Sequence, residues 1–504
     1  MSEERSSFLK KRRPARGTKK LLSRFARGLP ATGQPCAKRL KSFFASFFSK
    51  KEVLACLFLA SCAPKLATPD TAYPATAYLP TPTTAANATT IIPTAWWMRF
   101  NNPTLNDLVA AGLSASPTLA EANANLIAAQ QNAIANNGAY LPQIGLNPGQ
   151  PQLSRTAEPG GPNGFPPYSV YAIGGTISYD PGLFGARKYT FENGAALNDD
   201  QEAELEAARD TLEGNIVTAA ITLAGDNAQI AASNSILGAE QKLLNLLQQE
   251  LADGAIPALT VLQQRATILA TQTTLPALQT QAEQQQDRLA LLTGQLPADF
   301  PPPAITLGAL TPPAPIPILL PSSYLENRPD LRAARAQVAA QNAALGLAIA
   351  HLYPDLQLSA SGGWLATTLN PLFAPDTAFW TLAGNLLAPL YQGGQLHARK
   401  QQAQAQLAAA LAAYHGAVLN AFGEAADALY AIQNDQTALA SAQAASNVAD
   451  QAYNLASQQF SLGAIDYTTV LTAQAAAAQQ TLTLVQTKTT LLLDIARLQA
   501  AMAS

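Results

Sequence analysis

Gly254-Ala255-Ile256-Pro257-Ala258-Leu259-Thr260-Val261-Leu262 returns later in the chain as Gly463-Ala464-Ile465-Asp466-Tyr467-Thr468-Thr469-Val470-Leu471, offset by 209 residues. A second match agrees. Pro117 and Pro142 repeat as Pro329 and Pro354, offset by 212. Around them Leu119, Ala122, Ala124 and Ala128 match Leu331, Ala334, Ala336 and Ala340. Two independent matches at almost one offset mean an internal duplication, so the fold is one unit built twice.

Outward from each copy the pattern is helical. No proline falls between Gly182 and Ile256, and none follows Pro389. In the second copy Leu407, Leu411, Tyr414, Val418, Ala421, Ala425, Ala428 and Ile432 alternate steps of four and three. That is a sustained heptad seam, and its small Ala residues let backbones approach closely. A helix from Gly394 to Leu462 would run about 100 Å at 1.5 Å per residue. A second helix, about Thr468 to Met502, would return. Gly254 and Gly463 fall at the breaks, where a helix end favours a residue at positive φ. Each repeated segment is therefore expected to be the tip of a helical hairpin.

Strand patterns lie away from the tips. Tyr171, Ile173, Gly175, Ile177 and Tyr179 alternate with Ala172, Gly174, Thr176 and Ser178. Leu356, Leu358, Ala360, Gly362 and Trp364 alternate with Gln357, Ser359 and Ser361. Trp380, Leu382, Gly384 and Leu386 make a third strand. A fourth, Ile144 to about Leu153, is poor, because Pro148 and Pro151 suit only an irregular or edge strand. One small polar face and one apolar face with aromatic ends fit a membrane barrel, and fit an ordinary half-buried sheet as well. Four strands cannot close a barrel, and open edges are not viable in lipid. Spanning strands would need several chains; three chains would supply twelve.

Composition narrows the class. Only 13% of the 504 residues are charged and 48% are hydrophobic, which excludes a disordered chain. The net charge of −2 hides a basic head, with 15 Lys/Arg and 3 Asp/Glu in residues 1–52, on an acidic body. The head ends in Lys50-Lys51, a short apolar run from Val53 to Ala60, and Leu59-Ala60-Ser61-Cys62, the order of a secretory signal. The last four residues resemble a bacterial lipobox, which implies cleavage before Cys62 and diacylation of its thiol. Cleavage would remove Cys36 and Cys56 and leave one Cys with no disulfide partner. The Lys10-Lys11-Arg12-Arg13 run reads as part of a long leader rather than a nucleic-acid contact. The expected organisation is a leader and signal over 1–61, an anchor and Pro/Thr/Ala-rich tether over 62–98, a first repeat over 99–300, a Pro-rich linker over 301–321, and a second repeat over 322–504.

At this point the residues carry a family resemblance. Asn327-Arg328-Pro329-Asp330-Leu331-Arg332-Ala333-Ala334 running on to Tyr353-Pro354, with Asp180-Pro181-Gly182-Leu183-Phe184-Gly185 and Pro389-Leu390-Tyr391-Gln392-Gly393-Gly394, resembles the TolC-like outer-membrane efflux channels, most closely their NodT-type lipoprotein branch. The resemblance runs from about Trp96 to Met502. It implies an α+β membrane protein: a homotrimer with a twelve-stranded β-barrel in the outer membrane and an α-helical barrel in the periplasm. It also implies a periplasmic adaptor protein docked at the tips and an inner-membrane pump that supplies the energy. The subunit would export small molecules passively, without chemistry or cofactor. A related duct for protein secretion, or a coiled-coil lipoprotein without a pore, remains the alternative.

The residues expected to carry that function follow. Cys62 is the lipid anchor. Gly254, Ala255, Ile256, Gly463, Ala464 and Ile465 are the adaptor-docking surface, their small residues and exposed Ile suited to cogwheel-like packing, although a tip needs Gly whether or not it binds anything. Related channels often place an Asp directly after the Val-Leu pair of the last helix; here that place holds Thr472. Asp466, Thr468 and Thr472 are therefore the expected aperture, with Asp253 and Asp450 as further acidic candidates; helix-end and solvated-surface roles suit each of the three Asp residues equally. The three His, at 351, 397 and 415, form neither HExxH nor a Cys/His pair, and no Gly-rich phosphate loop is present. No enzyme and no metal is expected.

Overall fold

The computed structural model describes residues 66–69, 71, 95–147, 152–154, 168–313 and 328–502. The basic leader, Cys62, Pro148, Pro151 and Asn327 lie outside them.

The element order repeats, as the duplication requires. Helices α1 (Pro103–Ala115) and α2 (Pro117–Gly138) lead to strands β1 (Gln143–Asn147), β2 (Gln152–Ser154) and β3 (Tyr168–Tyr179). The long helix α3 (Ala186–Ala252) and α4 (Ala258–Leu292) follow. The second copy has α5 (Pro329–Ala350), β4 (Asp355–Ala366), β5 (Ala378–Leu387), α6 (Gln395–Ser461) and α7 (Tyr467–Met502). Pro117 and Pro329 open α2 and α5, where the missing N–H costs nothing. The two long helices have 67 residues each, about 100 Å at 1.5 Å per residue. The strand-to-helix turns match at the same offset of 209. Phe184 and Gly185 sit at φ 58° and 92°, Gly393 and Gly394 at 59° and 83°. Phe184 tolerates that backbone because its ring is buried and stacked on Tyr353, centroids 5.2 Å apart.

The compact units do not follow the repeats. Among the described residues, one includes those of 134–193 and 341–407; the other includes those of 95–133, 194–340 and 408–502. Each draws on both copies, because strands pair with strands and hairpins pack on hairpins.

The first unit holds an antiparallel sheet in the order β1-β3-β4-β5, with β2 also paired to β3. The poor fourth strand is thus two short strands on one side of β3, and the sheet is four strands wide. Register sorts the side chains. Ile144 faces Ile177, Ile173 faces Trp364, Ala360 faces both Ile177 and Leu382, and Gly362 faces Trp380. Directly paired residues share a face, so every apolar alternation predicted from sequence lands on one side. Much of that side is exposed, most of all at its edges, where Ile144 is 80% exposed and Trp380 81%, while Ile173 and Leu356 near the middle are half-buried. An ordinary half-buried sheet would cover such a face. The other side is more polar, with Gly145, Thr176, Ser178, Gln357, Ser359, Ser361, Thr381 and Asn385, and carries Leu365, Phe379 and Leu387 as well.

The second unit is helical. Its main core joins Trp96 and Phe100, from a 3-10 turn at Trp96–Phe100, to Leu105 and Val109 of α1, Ile216 and Ile221 of α3, Leu289 of α4, and Leu492, Ile495 and Leu498 of α7. Asn102 caps α1, its side-chain oxygen accepting from the Leu105 N–H at 3.0 Å. The predicted heptad seam of α6 is the packed face: Tyr414, Val418, Ala421, Ala425 and Ile432 are all buried. Among the described residues no helix is long and apolar enough to cross a membrane.

Candidate functional site

The two hairpin tips close with the same hydrogen bonds. At the first, the Gly254 N–H donates to Leu251 O at 3.0 Å and the Ala255 N–H to Glu250 O at 2.8 Å. At the second, Gly463 donates to Phe460 O at 2.8 Å and Ala464 to Gln459 O at 2.9 Å. These are paired Schellman caps, with Gly254 at φ 73° and Gly463 at φ 75°. A side chain at either position would strain the turn.

The tips differ where the chain leaves the turn. Pro257 precedes α4 and gives no side-chain cap. Asp466 caps α7: its carboxylate accepts from the Thr469 N–H at 3.0 Å and from the Thr469 and Thr468 hydroxyls. Those bonds, the Thr469 hydroxyl first, hold the Asp466 carboxyl below its usual range. Asp466 therefore fills a helix-end role. Thr468 and Thr472 lie exposed one turn apart, the Thr472 hydroxyl donating to Thr468 O at 2.8 Å. Asp253 sits in the first tip and Asp450 within α6, both exposed.

One expectation needs correction. Ile256 and Ile465 are half-buried, not presented to solvent, because they pack on the cluster of Leu247, Val261, Phe460 and Val470 beneath the tips. The exposed apolar side chains there are Leu259, Leu262 and Leu462.

A buried polar group above the tips escaped the sequence reading. The Tyr467 hydroxyl donates to Gln264 Oε1 at 2.6 Å, and Gln264 Nε2 donates to the Glu240 carbonyl at 3.0 Å. The Thr271 hydroxyl donates to Glu240 Oε1 at 2.9 Å, while Glu240 Oε2 has no partner among the described residues. Burial raises the Glu240 carboxyl above its usual range, with the Thr271 hydrogen bond opposing. Burial and the nearby Glu240 charge push Tyr467 up to about 12 and raise Tyr453. The one available signal was a difference between copies: Gln264 stands where the second copy has Ala473.

A second charged group lines a cleft of about 560 Å³ between α3, α4, α7 and the start of α5. Arg328 pairs with Asp330 at 2.8 Å and with Glu424 at 3.0 Å. Asp210, on the cleft wall, is pushed up to about 7 by burial and by the charges of Glu213 and Glu206, Arg209 opposing. Among the described residues no group of His, Cys, Asp and Glu is placed to hold a metal.

A spanning-type sheet with open edges, joined in one chain to duplicated helices of about 100 Å, defines the class: an outer-membrane channel subunit. The chain belongs to the outer membrane efflux protein family, whose model matches residues 108–295 and 320–504. It is an efflux channel component of the NodT type. It is 28% identical over 365 residues to the pyoverdine export outer membrane protein OpmQ of Pseudomonas putida, covering 69% of this chain and 75% of that protein. It is 26% identical over 348 residues to nodulation protein T of Rhizobium leguminosarum bv. trifolii, covering 68% and 73%. The solved outer-membrane channel OprN superposes with a TM-score of 0.81 at 27% identity, over 88% of this chain and 98% of that one. OpmQ is an outer membrane export protein and OprN an outer-membrane channel, and membership of this family places the chain in the bacterial outer membrane.

Proposed function

We propose that three copies of this chain close their sheets into one twelve-stranded barrel and line a continuous export duct for small molecules. The duct ends at six hairpin tips, where a periplasmic adaptor protein docks and hands over solutes driven by an inner-membrane pump. Cys62 carries the acyl chains that tether each copy to the membrane; two chains give stable attachment where one does not.

The observation that carries this reading is the largely exposed apolar face of a sheet whose two edges, β5 and the β1/β2 side, have no strand partner among the described residues. A lipid-facing sheet must close on itself, and four strands close only with strands from other copies.

The duplication supports the same ring at the level of the helices. Within the chain α3 packs on α7. A methyl at Gly214 would stand 3.4 Å from Ala500 Cβ, and Gln486 Nε2 donates to Gln229 Oε1 at 3.1 Å. Moving each residue by the repeat offset turns the Gly214–Ala500 contact into Gly423 on α6 and Leu291 on α4. In the single chain Gly423 faces open space and Leu291 is 64% exposed. Near the tips the half-buried pair Leu246 and Leu471 maps likewise onto Leu455 and Leu262, both exposed. Such a contact is heterologous, α6 of one copy against α4 of the next, and a heterologous contact that closes makes a ring.

The aperture of this channel is lined by Thr468 and Thr472, with Asp466 committed to its helix cap. Small organic solutes, including siderophore-like or toxic compounds, are the proposed cargo, in keeping with the export role named for OpmQ. Deleting the gene and exposing the strain to a panel of toxicants tests this. Hypersensitivity reversed by the intact gene is expected; unchanged tolerance across the panel, with no change in secreted small molecules, contradicts it.

A further inference from the structure

Glu240 is the most confined acid near the tips. It is 3% exposed, forms no ion pair among the described residues, and leaves Oε2 without a partner. Every helix of the two hairpins meets its surroundings. From α4 come Gln264, bonded to its carbonyl, and Thr271, bonded to Oε1. From α7 comes Tyr467, bonded to Gln264. From α6 comes Tyr453, whose hydroxyl feels the Glu240 charge. The titratable groups facing Glu240 are Tyr453 and Tyr467, and the charge of Glu240 acts on both. From α4 the groups bonded to Glu240 among the described residues, Gln264 and Thr271, are uncharged. Gln474 of α7 is buried in the same region. Neither of its side-chain polar atoms reaches hydrogen-bond geometry with a partner, although the Tyr453 hydroxyl stands near it.

We propose that Glu240 is a proton-operated pin that ties the two hairpins together above their tips, tight when neutral and loosened when ionised. A buried carboxylate without a cation is strongly disfavoured, whereas a buried neutral carboxyl needs only hydrogen-bond partners. Neutral Glu240 keeps α3, α4, α6 and α7 packed. Ionised Glu240 places an uncompensated charge between them, relieved when the helices part and water enters. The native state binds the proton more tightly than the unfolded chain does. Pinning is therefore complete in acid, below the unfolded carboxyl value, and is lost as pH rises through the raised native value. The channel's periplasmic end would then open more readily toward neutral and alkaline pH than in acid. This deepens the reading of the tips as the docking and opening end.

Hydrogen exchange on the full-length protein in detergent tests the pin without requiring that it conduct. Failure of the channel reading therefore leaves this measurement interpretable, and the reverse. After correction for the intrinsic pH dependence of exchange, amides of segments 240–271 and 467–474 should lose protection roughly tenfold from about pH 4, below the ordinary carboxyl value, to about pH 8, equivalent to ~1.4 kcal/mol. Glu240→Gln, which keeps shape and removes the proton, should hold acid-level protection at both. Equal pH dependence in Glu240→Gln and the native protein overturns the proposal. If that variant does not fold, the native profile decides alone, and protection at the tips that does not change with pH overturns it as well.

Discussion

The Tyr467 hydroxyl and the Gln264 amide oxygen meet at 2.6 Å between buried side chains 203 residues apart in sequence, linking the two copies just above their tips. Tyr467→Phe leaves Gln264 Oε1 unpaired in an apolar surround, at a cost of about 1–3 kcal/mol. Adding Gln264→Leu removes the stranded acceptor and should recover part of that loss. Denaturant unfolding of the two variants checks the sign of the coupling.

Asp210 sets a pH dependence of its own. Burial and the neighbouring acidic charges push its carboxyl up to about 7 from an ordinary value of 3.8. The folded state thus holds a proton that the unfolded chain releases. The stabilisation is whole below about pH 4 and disappears as pH rises through about 7. Asp210→Asn should flatten the fall in thermal midpoint over that window, and an identical slope in the variant would show that another group governs it.

Gly423 and Leu291 report the proposed ring. Gly423→Cys combined with Leu291→Cys should give covalent dimers and trimers on mild oxidation, while either change alone gives none. The matching intramolecular pair, Gly214→Cys with Ala500→Cys, should crosslink within one chain and leave its mass unchanged.

Thr472 stands beside the second tip, where a carboxylate would strengthen cation attraction. Thr472→Asp should increase the cation preference of single channels severalfold. Unchanged preference and conductance would remove Thr472 from the aperture.

Cys62 is proposed as the acylated residue, so Cys62→Ser should abolish incorporation of labelled fatty acid. Label that persists in the variant would place the lipid elsewhere.

The fold was legible because its signals are long and repeated. Gly254 and Gly463 marked two turns at one offset, a proline-free run marked α3, a proline-free heptad seam marked α6, and alternation marked β3, β4 and β5. Pairing then placed Ile173 beside Trp364 and Gly362 beside Trp380, as matched alternations require. The split of the fourth strand was less legible, since Pro148 and Pro151 signal interruption without saying where pairing resumes at Gln152. The sites were harder still. Gln264, Glu240 and Tyr467 converge from α4, α3 and α7, and no local spacing encodes such a meeting. Ile256 and Ile465 read as exposed because they adjoin a turn; only the cluster around Leu247 and Val470 shows that they turn inward. Asp466 suits a helix end and an aperture equally by sequence, and its hydrogen bonds to Thr468 and Thr469 add the helix-cap role.

The central claim is that copies of this chain enclose a water-filled path across a bilayer. Reconstitution of the purified protein into a planar lipid bilayer, with single-channel current recorded under applied voltage, measures that directly. Discrete conductance steps, lost when Gly423→Trp blocks the helical contact between copies, are the predicted result. A properly folded, membrane-inserted native protein that passes no current, even after its tips are loosened by Tyr467→Phe, would contradict the account.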